Sequence, residues 1–587
     1  MLAAPVSLHT LQTVGCTAKT EAGTIAAGDL RFDGEALTGE TGQHVTFDGI
    51  FGAFFEGYWA RHTGVDDLAL VLELTGHIEI TIERVASSTG QTERALQSEL
   101  QGTGERLIVP VPMVTAGETR LILTIRLVST SKITAIAWTT RRAPTRSVGL
   151  MAVICTFNRE KDVAATLDEL LLSPCGLRRV LVVNQGQAGL ALRLQHLRSA
   201  QDAGTLRVID QANLGGAGGF GRGMLESLSD DECSHVLLMD DDIDLDADTI
   251  RRLVVILSYL KSDHAIGGAM IDRTSRTRLF SVGDVVDRKR PEIRNLVDPA
   301  ADDITQAATS RYLALHHHPD FNGWWFFAFA KQDIERFGLP LPLFIRGDDV
   351  EYGYRLSVNG TRTLGWPGLA VWHEPFHAKR QPWHYFYDRR NSLFLCEAHG
   401  RLGRIRLFGA LLTGFLNHLL RFDYDRASCV TLGLAAFNDG PERLARWDGN
   451  DHSRLAEAFG SKELPQPEGG ISASVPRSRV PTPLLFAGRL MKDLLRRTTT
   501  GGEAATLPAR HWRPIVQHRP TPVKIHYQDS GTAAEFHHDR DRTRACSKAF
   551  ARESFRFLFR AWQPDPLMAL TRRDFWTGYT SQLASRR

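Results

Sequence analysis

Three adjacent carboxylates, Asp240, Asp241 and Asp242, follow directly on the apolar run Val236-Leu237-Leu238-Met239. The run predicts a short buried strand that ends at the acidic triplet. In open α/β sheets, ligands collect just beyond the carboxyl ends of the strands. Neighbouring carboxylates repel one another unless a cation or a positive face neutralises them. Hard divalent ions such as Mg²⁺ and Mn²⁺ favour oxygen ligands of this kind, commonly shared with substrate phosphates. The chemistry expected here is a metal–diphosphate site. The plainer alternative is an acidic turn capping the helix predicted at Asp248-Thr249-Ile250. A second acidic cluster, Asp348-Asp349-Val350-Glu351, suits a general base facing a metal-bound electrophile. It would serve equally as the acidic first turn of a helix. His373, taken alone, reads as a hydrogen-bonded core histidine.

The elements that must position these groups alternate strand and helix from Val148 onward. Val148 to Thr156, Val180 to Asn184, Leu206 to Ile209 and Val236 to Met239 are near-continuous apolar strands, and Asp162 to Leu172 has helical spacing. That pattern implies a parallel sheet buried on both faces, a nucleotide-binding α/β domain in outline. Each strand ends in polar residues that could converge on one ligand: Thr156-Phe157-Asn158-Arg159, then Asn184-Gln185-Gly186. After the third strand comes Asn213-Leu-Gly215-Gly216-Ala-Gly218-Gly219-Phe-Gly221. Such a glycine-rich turn lets backbone amides face phosphate oxygens, or it is a flexible connection before a helix at Met224. It fits neither a Walker loop nor a clean dinucleotide fingerprint.

Residues 1–146 read as an N-terminal β-sandwich, from Leu68–Thr75, His77–Glu83, Arg106–Val111 and Thr119–Leu127, short strands separated by glycine or polar turns. Phe51, Phe54, Phe55, Tyr58 and Trp59 read as core or interdomain contact rather than a sugar-stacking platform. Residues 147–400 form the α/β part. From 401 to 587 the chain reads as mostly helical, with Pro/Gly-rich loops at Pro465–Pro483 and Thr498–Pro522 and a basic amphipathic stretch from Leu484 to Arg497.

The chain has 587 residues, 43% hydrophobic and 23% charged, with a formal net charge of +3. That is the composition of a soluble globular protein of several domains, with no basic tract for nucleic acid. Seven cysteines, odd in number and without a CxxC pair, fit reduced thiols in the cytoplasm. The N-terminus lacks a signal-peptide pattern, and the apolar stretch from Leu407 to Leu420 is too short to span a bilayer.

Asn158-Arg159, Asn213 to Phe220, the Asp240–Asp242 triplet, Asn322-Gly-Trp-Trp325, Pro340-Leu-Pro-Leu-Phe-Ile-Arg-Gly-Asp-Asp349, Trp372-His373 and Arg390-Asn391 occur in that order. Together they resemble the polymerising galactofuranosyltransferases of mycobacterial cell-wall galactan, members of glycosyltransferase family 2. The likeness runs from about residue 45 to residue 400. It implies a GT-A fold, a UDP-galactofuranose donor, a Mn²⁺ or Mg²⁺ ion, and inversion at the anomeric carbon. It further implies a glycan or lipid-linked glycan acceptor, a homo-oligomer, and contact with the cytoplasmic face of the membrane. By the resemblance, Asp240, Asp242 and His373 hold the metal and Asp349 is the catalytic base. Thr156, Asn158, Arg159, Gln185, Asn213, Gly216, Asp240 and Asp241 bind the donor, while Trp324, Trp325 and Asp348 line the acceptor side. Two positions depart from the family pattern. Gly347 stands where a tryptophan is expected and Asp388 where a histidine is expected, both on or near the acceptor side. The rival readings are the same chemistry on another nucleotide sugar, a catalytically silent glycan-binding scaffold, and, more weakly, a hydrolase with paired carboxylates.

Overall fold

The structure is a computed structural model. It describes residues 7–584 apart from 16, 35, 115–116, 173–175, 376–380, 461–463, 466–487, 489, 492, 496–504, 509–522 and 528–531. Both Pro/Gly-rich stretches of the C-terminal region lie largely outside the described residues, as does most of Leu484–Arg497.

The N-terminal strands are antiparallel and join into one nine-stranded sheet. Leu68–Thr75 and His77–Glu83 are not two strands with a turn between them. They are halves of one strand, Leu68–Ala86, whose pairing shifts register around Leu74. At Gly76 the backbone has φ 117°, and a Cβ there would lie 2.3 Å from the Ser131 hydroxyl. Glycine therefore lets the strand bend where a turn was expected. Before the bend it pairs with Ser131–Thr140, after it with Thr119–Leu127, and Thr92–Val111 runs along its other edge. Alternate residues of both halves, among them Leu70, Leu72, Ile80 and Ile82, are buried in one cluster.

The α/β part is a mixed sheet. In chain order its strands are β1 (Leu150–Thr156), β2 (Leu177–Asn184), β3 (Leu206–Asp210), β4 (His235–Asp240), β5 (Ala265–Asp272), β6 (Leu279–Ser281), β7 (Phe327–Ala330) and β8 (Thr363–His373). The spatial order is β3-β2-β1-β4-β7-β5-β6, with β8 parallel beside β5. Strands β1 to β4 are mutually parallel, whereas β7 runs against both β4 and β5. The order reverses between β1 and β4, where Cys155 stands opposite Asp240. That crevice is where an open α/β sheet accepts a ligand.

Five helices matter for the site: α1 (Glu160–Leu172), α2 (Gly215–Ser227), α3 (Ala247–Tyr259), α4 (Asp348–Val358) and α5 (His384–Ala398). The cap of α3 is Asp246, whose side chain accepts from the Asp248 amide, so the acidic triplet is free of that duty. The aromatic group from Phe51 to Trp59 is buried and joins the two parts: Phe51 packs on Trp372, and Trp59 meets Tyr259 and Trp366 edge-on. Beyond α5, helices Arg404–Leu419, Tyr424–Asn438 and Arg540–Phe559 pack together around a separate core. This region also holds a four-stranded sheet of Leu464–Pro465, Ala505–Pro508, Val523–Tyr527 and Thr532–Phe536, which the helical reading lacked. Among the described residues, no helix is long and apolar enough to cross a membrane.

Candidate functional site

The acidic triplet lies at the end of β4, and the chain then forms a bridge with the end of β8. The Asp244 amide donates to the Trp372 carbonyl and the Trp372 amide to that of Asp244, each at 2.8 Å. This bridge sets the next residue, His373, beside the triplet. Its Nε2 is 2.9 Å from Asp242 Oδ1 and 3.7 Å from Asp240 Oδ2. Asp240, Asp242 and His373 each offer a ligand atom within 4.8 Å of the others. Two carboxylate oxygens and one imidazole nitrogen form a donor set suited to Mn²⁺ or Mg²⁺.

Burial would raise the Asp242 pKa, but the His373 ring and the Arg159 guanidinium override it and hold the carboxyl well below its ordinary range. Arg159 reaches Asp242 from the loop after β1 and also lies 3.7 Å from Asp241. The other two acids go the opposite way. Burial pushes Asp240 up to about 6, and it pushes Asp241 up to about 7 against the Thr156 hydroxyl. The site thus holds more carboxylate than its own cations balance, and a divalent ion would relieve that excess.

Asp348 and Asp349 open α4 and face the triplet across the crevice. Burial and the Asp349 charge raise Asp348, which also senses Asp240. Burial raises Asp349 to about 6, against the Val350 amide and Arg346. The helix-start reading of this pair holds, since both residues lie in the first turn of α4.

The expected donor residues gather around the crevice but differ in what their polar atoms do. Asn158 has φ 56°, and its Oδ1 accepts from the Gln187 amide at 3.3 Å. A Cβ on Gly186 would lie 2.4 Å from that oxygen, so the loops after β1 and β2 touch directly. Gln185 is turned to the scaffold: Nε2 donates to the Gly215 carbonyl, and Oε1 accepts from the Leu214 amide, both at 2.8 Å. Asn213 Oδ1 accepts from the Gly215 amide, while its carbonyl accepts from Gly449. Gly216 faces Asp348, whose Oδ2 is 3.2 Å from where a Cβ would be.

The glycine run is not a loop leading to a helix at Met224; it is the first half of α2 itself. Side chains have no room on two opposite faces, because Gly219 and Gly223 lie against β1 and Gly221 points the other way. A Cβ at Gly219 would lie 2.2 Å from Cys155 Sγ, at Gly223 2.1 Å from Val153, and at Gly221 2.3 Å from the Trp576 ring. Close packing explains these glycines, and only the first turn is left to face a ligand.

Trp324 and Trp325 are each only 4% exposed. Trp324 packs edge-on to Phe220 of α2 and Tyr352 of α4. The Trp325 indole donates to the Gly268 carbonyl at 3.0 Å. They shape the wall between α2 and β5 and present little ring face to solvent. Of the two departures from the family pattern, Asp388 forms a 2.6 Å ion pair with Arg346, and Gly347 takes φ 88° just ahead of Asp348.

Sequence reasoning missed Asp284. Its carboxyl is pushed up to about 7 by burial and by the charge of Asp349, and its Oδ1 is buried without a hydrogen-bond partner. It follows Gly283 and opens the short strand Asp284–Val286, just after Leu279–Ser281, with no periodicity to mark it.

Residues 147–391 match the family model described as glycosyltransferase-like family 2. This segment is a family 2 glycosyltransferase domain. Galactofuranosyltransferase GlfT2 of Mycolicibacterium smegmatis is 30% identical over 423 residues, 68% of this chain and 65% of that protein. GlfT2 of Mycobacterium tuberculosis H37Rv is 29% identical over the same length, 68% of this chain and 66% of its own. The chain thus spans just under two thirds of the length of these relatives. Among solved structures, the mannosyltransferase PcManGT from Pyrobaculum calidifontis, in complex with GDP-Man and Mn²⁺, aligns over 54% of this chain and 81% of its own, at 16% identity and a TM-score of 0.30. A likeness that low carries no argument. The matched segment carries the mixed sheet described above.

Proposed function

We propose that this protein transfers galactofuranose from UDP-galactofuranose to a hydroxyl of a glycan or lipid-linked glycan, with inversion and with Mn²⁺ or Mg²⁺. The observation that carries the reading is the Asp240–Asp242–His373 triad facing Asp348-Asp349 across the crevice of a family 2 domain. Similarity to the galactofuranosyltransferases GlfT2 supports the choice of sugar. The division follows the same reading: a β domain to residue 146, the transferase domain to 400, and the C-terminal region after it.

In the mechanism, Asp240, Asp242 and His373 would hold the cation, which would supply charge to stabilise a leaving nucleoside diphosphate. Arg159 adds a fixed positive charge on the donor side, and the Gly216 amide in the first turn of α2 would face a phosphate oxygen; the Gly215 and Ala217 amides are already held by Asn213 Oδ1 and the Phe344 carbonyl. Thr156, Asn158, Asn213, Gly216 and Asp241 complete the donor wall, and Gln185 supports it by fixing the turn into α2. Asp349 takes the proton of the attacking acceptor hydroxyl. Asp348, Asp284, Trp324 and Trp325 shape the acceptor side. One direct displacement inverts the anomeric carbon, and no sugar–enzyme bond is needed.

A lipid-linked acceptor calls for a membrane-facing surface. Ile405, Phe555 and Phe559 are 83%, 66% and 74% exposed, and the Phe555 and Phe559 rings pack tilted against each other, 4.7 Å between centroids. Arg404 joins the two helices by donating to the Leu558 carbonyl at 2.8 Å, and exposed Arg406, Arg552 and Arg556 flank the apolar residues. Exposed aromatic rings ringed by arginine suit an anionic bilayer surface.

The deciding experiment is UDP release from a panel of UDP-sugars, with Mn²⁺ or EDTA and an added glycan acceptor, for wild type and Asp349→Asn. Metal-dependent release from UDP-galactofuranose, lost in the variant, is expected. Release from another UDP-sugar alone would overturn the donor. Absence of both turnover and UDP binding would favour a scaffold.

A further inference from the structure

The segment that delivers Asp348 and Asp349 to the site has an unusual backbone. Phe344, Arg346 and Gly347 have φ of 72°, 64° and 88°. Residues with a Cβ adopt that left-handed region only where their surroundings hold them in it. Here the holding group is one side-chain amide. Asn391 Nδ2 donates to the carbonyls of Ile345 at 2.9 Å and Arg346 at 2.6 Å, with a longer contact to Leu343 at 3.3 Å. Arg390 donates from Nη2 to the Leu343 carbonyl at 2.6 Å and from Nε to Asn391 Oδ1 at 2.9 Å, which fixes the orientation of the amide. The Arg390 guanidinium is itself immobilised among the rings of Phe386, Tyr387 and Trp447, at 5.1, 5.0 and 4.9 Å.

The opposite face of the same segment meets α2. The Phe344 carbonyl accepts from the Ala217 amide at 3.0 Å, and a Cβ on Gly215 would lie 2.2 Å from that oxygen. The left-handed turn is therefore wedged between the first turn of α2 and the buried Arg390–Asn391 pair of α5. Asn391 itself is 2% exposed and lies behind Gly347.

We infer that Asn391 is a positioning residue of the transfer reaction: its amide holds residues 343–347 in the left-handed turn that aims Asp348 and Asp349 at the metal triad. The inference rests on Asp349 being the base. The isosteric variant Asn391→Asp separates hydrogen bonding from space filling. It keeps the volume and the acceptor for Arg390 but turns a carboxylate oxygen toward carbonyl oxygens, where only a donor fits.

The test compares wild type, Asn391→Asp and Asn391→Ala by transfer kinetics, UDP binding in Mn²⁺, and hydrogen exchange of the amides of 343–349. Expected for Asn391→Asp are a loss of at least tenfold in kcat, UDP affinity within threefold of wild type, and faster exchange confined to 343–349. Wild-type kcat and exchange in Asn391→Asp would overturn the inference, because volume alone would then suffice. Should Asn391→Asp not fold, Arg346→Gly decides. Glycine takes a positive φ without help, so the kcat loss caused by Asn391→Ala should be at least threefold smaller in the Arg346→Gly background than in wild type. Equal losses in both backgrounds would overturn the inference. The exchange result is independent of which carboxylate is the base. If Asp349→Asn retained activity while exchange rose as expected, the base assignment would fall and the hold on the turn would stand.

Discussion

The ring of His373 lies 2.9 Å from the carboxylate of Asp242, a contact between residues 131 positions apart in the chain. Beside that contact, burial raises the third member of the triad, Asp240, to about 6, so a cation bound there would displace a proton. Metal binding should therefore release protons, and Mn²⁺ affinity should fall as the pH drops below neutrality. Calorimetry in buffers of different ionisation heat measures the protons released. Asp242→Ala should lower Mn²⁺ affinity by more than the roughly 10- to 100-fold that loss of an outer partner costs. A pH-independent affinity would contradict the assignment of Asp240 to the metal triad.

Asp349→Asn removes a base but leaves the triad and Arg159 in place. Its kcat should fall by about 100- to 10,000-fold, while metal-dependent UDP binding stays within a few-fold of wild type. In the wild type the raised Asp349 pKa means that the proton is held until the pH passes about 6. Transfer should rise through an acid limb at or below that pH, since a bound cation would pull it lower. Single-turnover rates between pH 5 and 8 give the limb directly.

Asp284 carries a stability cost with a defined pH window. Its folded pKa is about 7 against an unfolded value of about 3.9. Its contribution is favourable relative to neutral pH below about 4, and it is lost progressively as the pH rises through 7. Asp284→Asn should therefore raise Tm at pH 8, raise it less at pH 5, and slow transfer to the acceptor. Thermal melts at three pH values check the trend, and a variant less stable than wild type at pH 8 would refute it.

Gly221→Ala places a methyl group 2.3 Å from the Trp576 ring. Overpacking of that kind should cost about 1–3 kcal/mol. Trp576→Leu opens the space, so the double variant should be more stable than the sum of the two single losses. Urea melts of the four proteins measure the coupling.

The exposed Phe555 and Phe559 give a surface prediction. Replacing both with serine should weaken binding to anionic vesicles while leaving activity on a short soluble acceptor unchanged. Vesicle flotation and UDP release, measured on the same preparation, compare the two.

Much of the site was legible because a local pattern marks it. Asp240–Asp242 follows an apolar strand directly, and Asp348-Asp349 opens a helix, so burial pattern and position agree. The glycine run misled because glycine has two uses. A phosphate-facing loop and a closely packed helix look the same in sequence, and only Cys155 and Val153 on one face and Trp576 on the other show that packing fills both. Trp324 and Trp325, expected to line the acceptor side, are almost wholly buried. Asp284 was invisible, since a lone acid after a glycine acquires meaning only when a distant residue such as Asp349 comes to face it. The bend at Gly76 was read as a turn because pairing partners on both sides are set by residues far along the chain.

Trp576, on the helix Arg573–Ala584, covers the Gly221 side of α2, and its indole donates to the Pro340 carbonyl at 3.1 Å. A single cut in the chain between α5 and that helix would leave every acid of the crevice covalently in place yet untie the ring that covers α2.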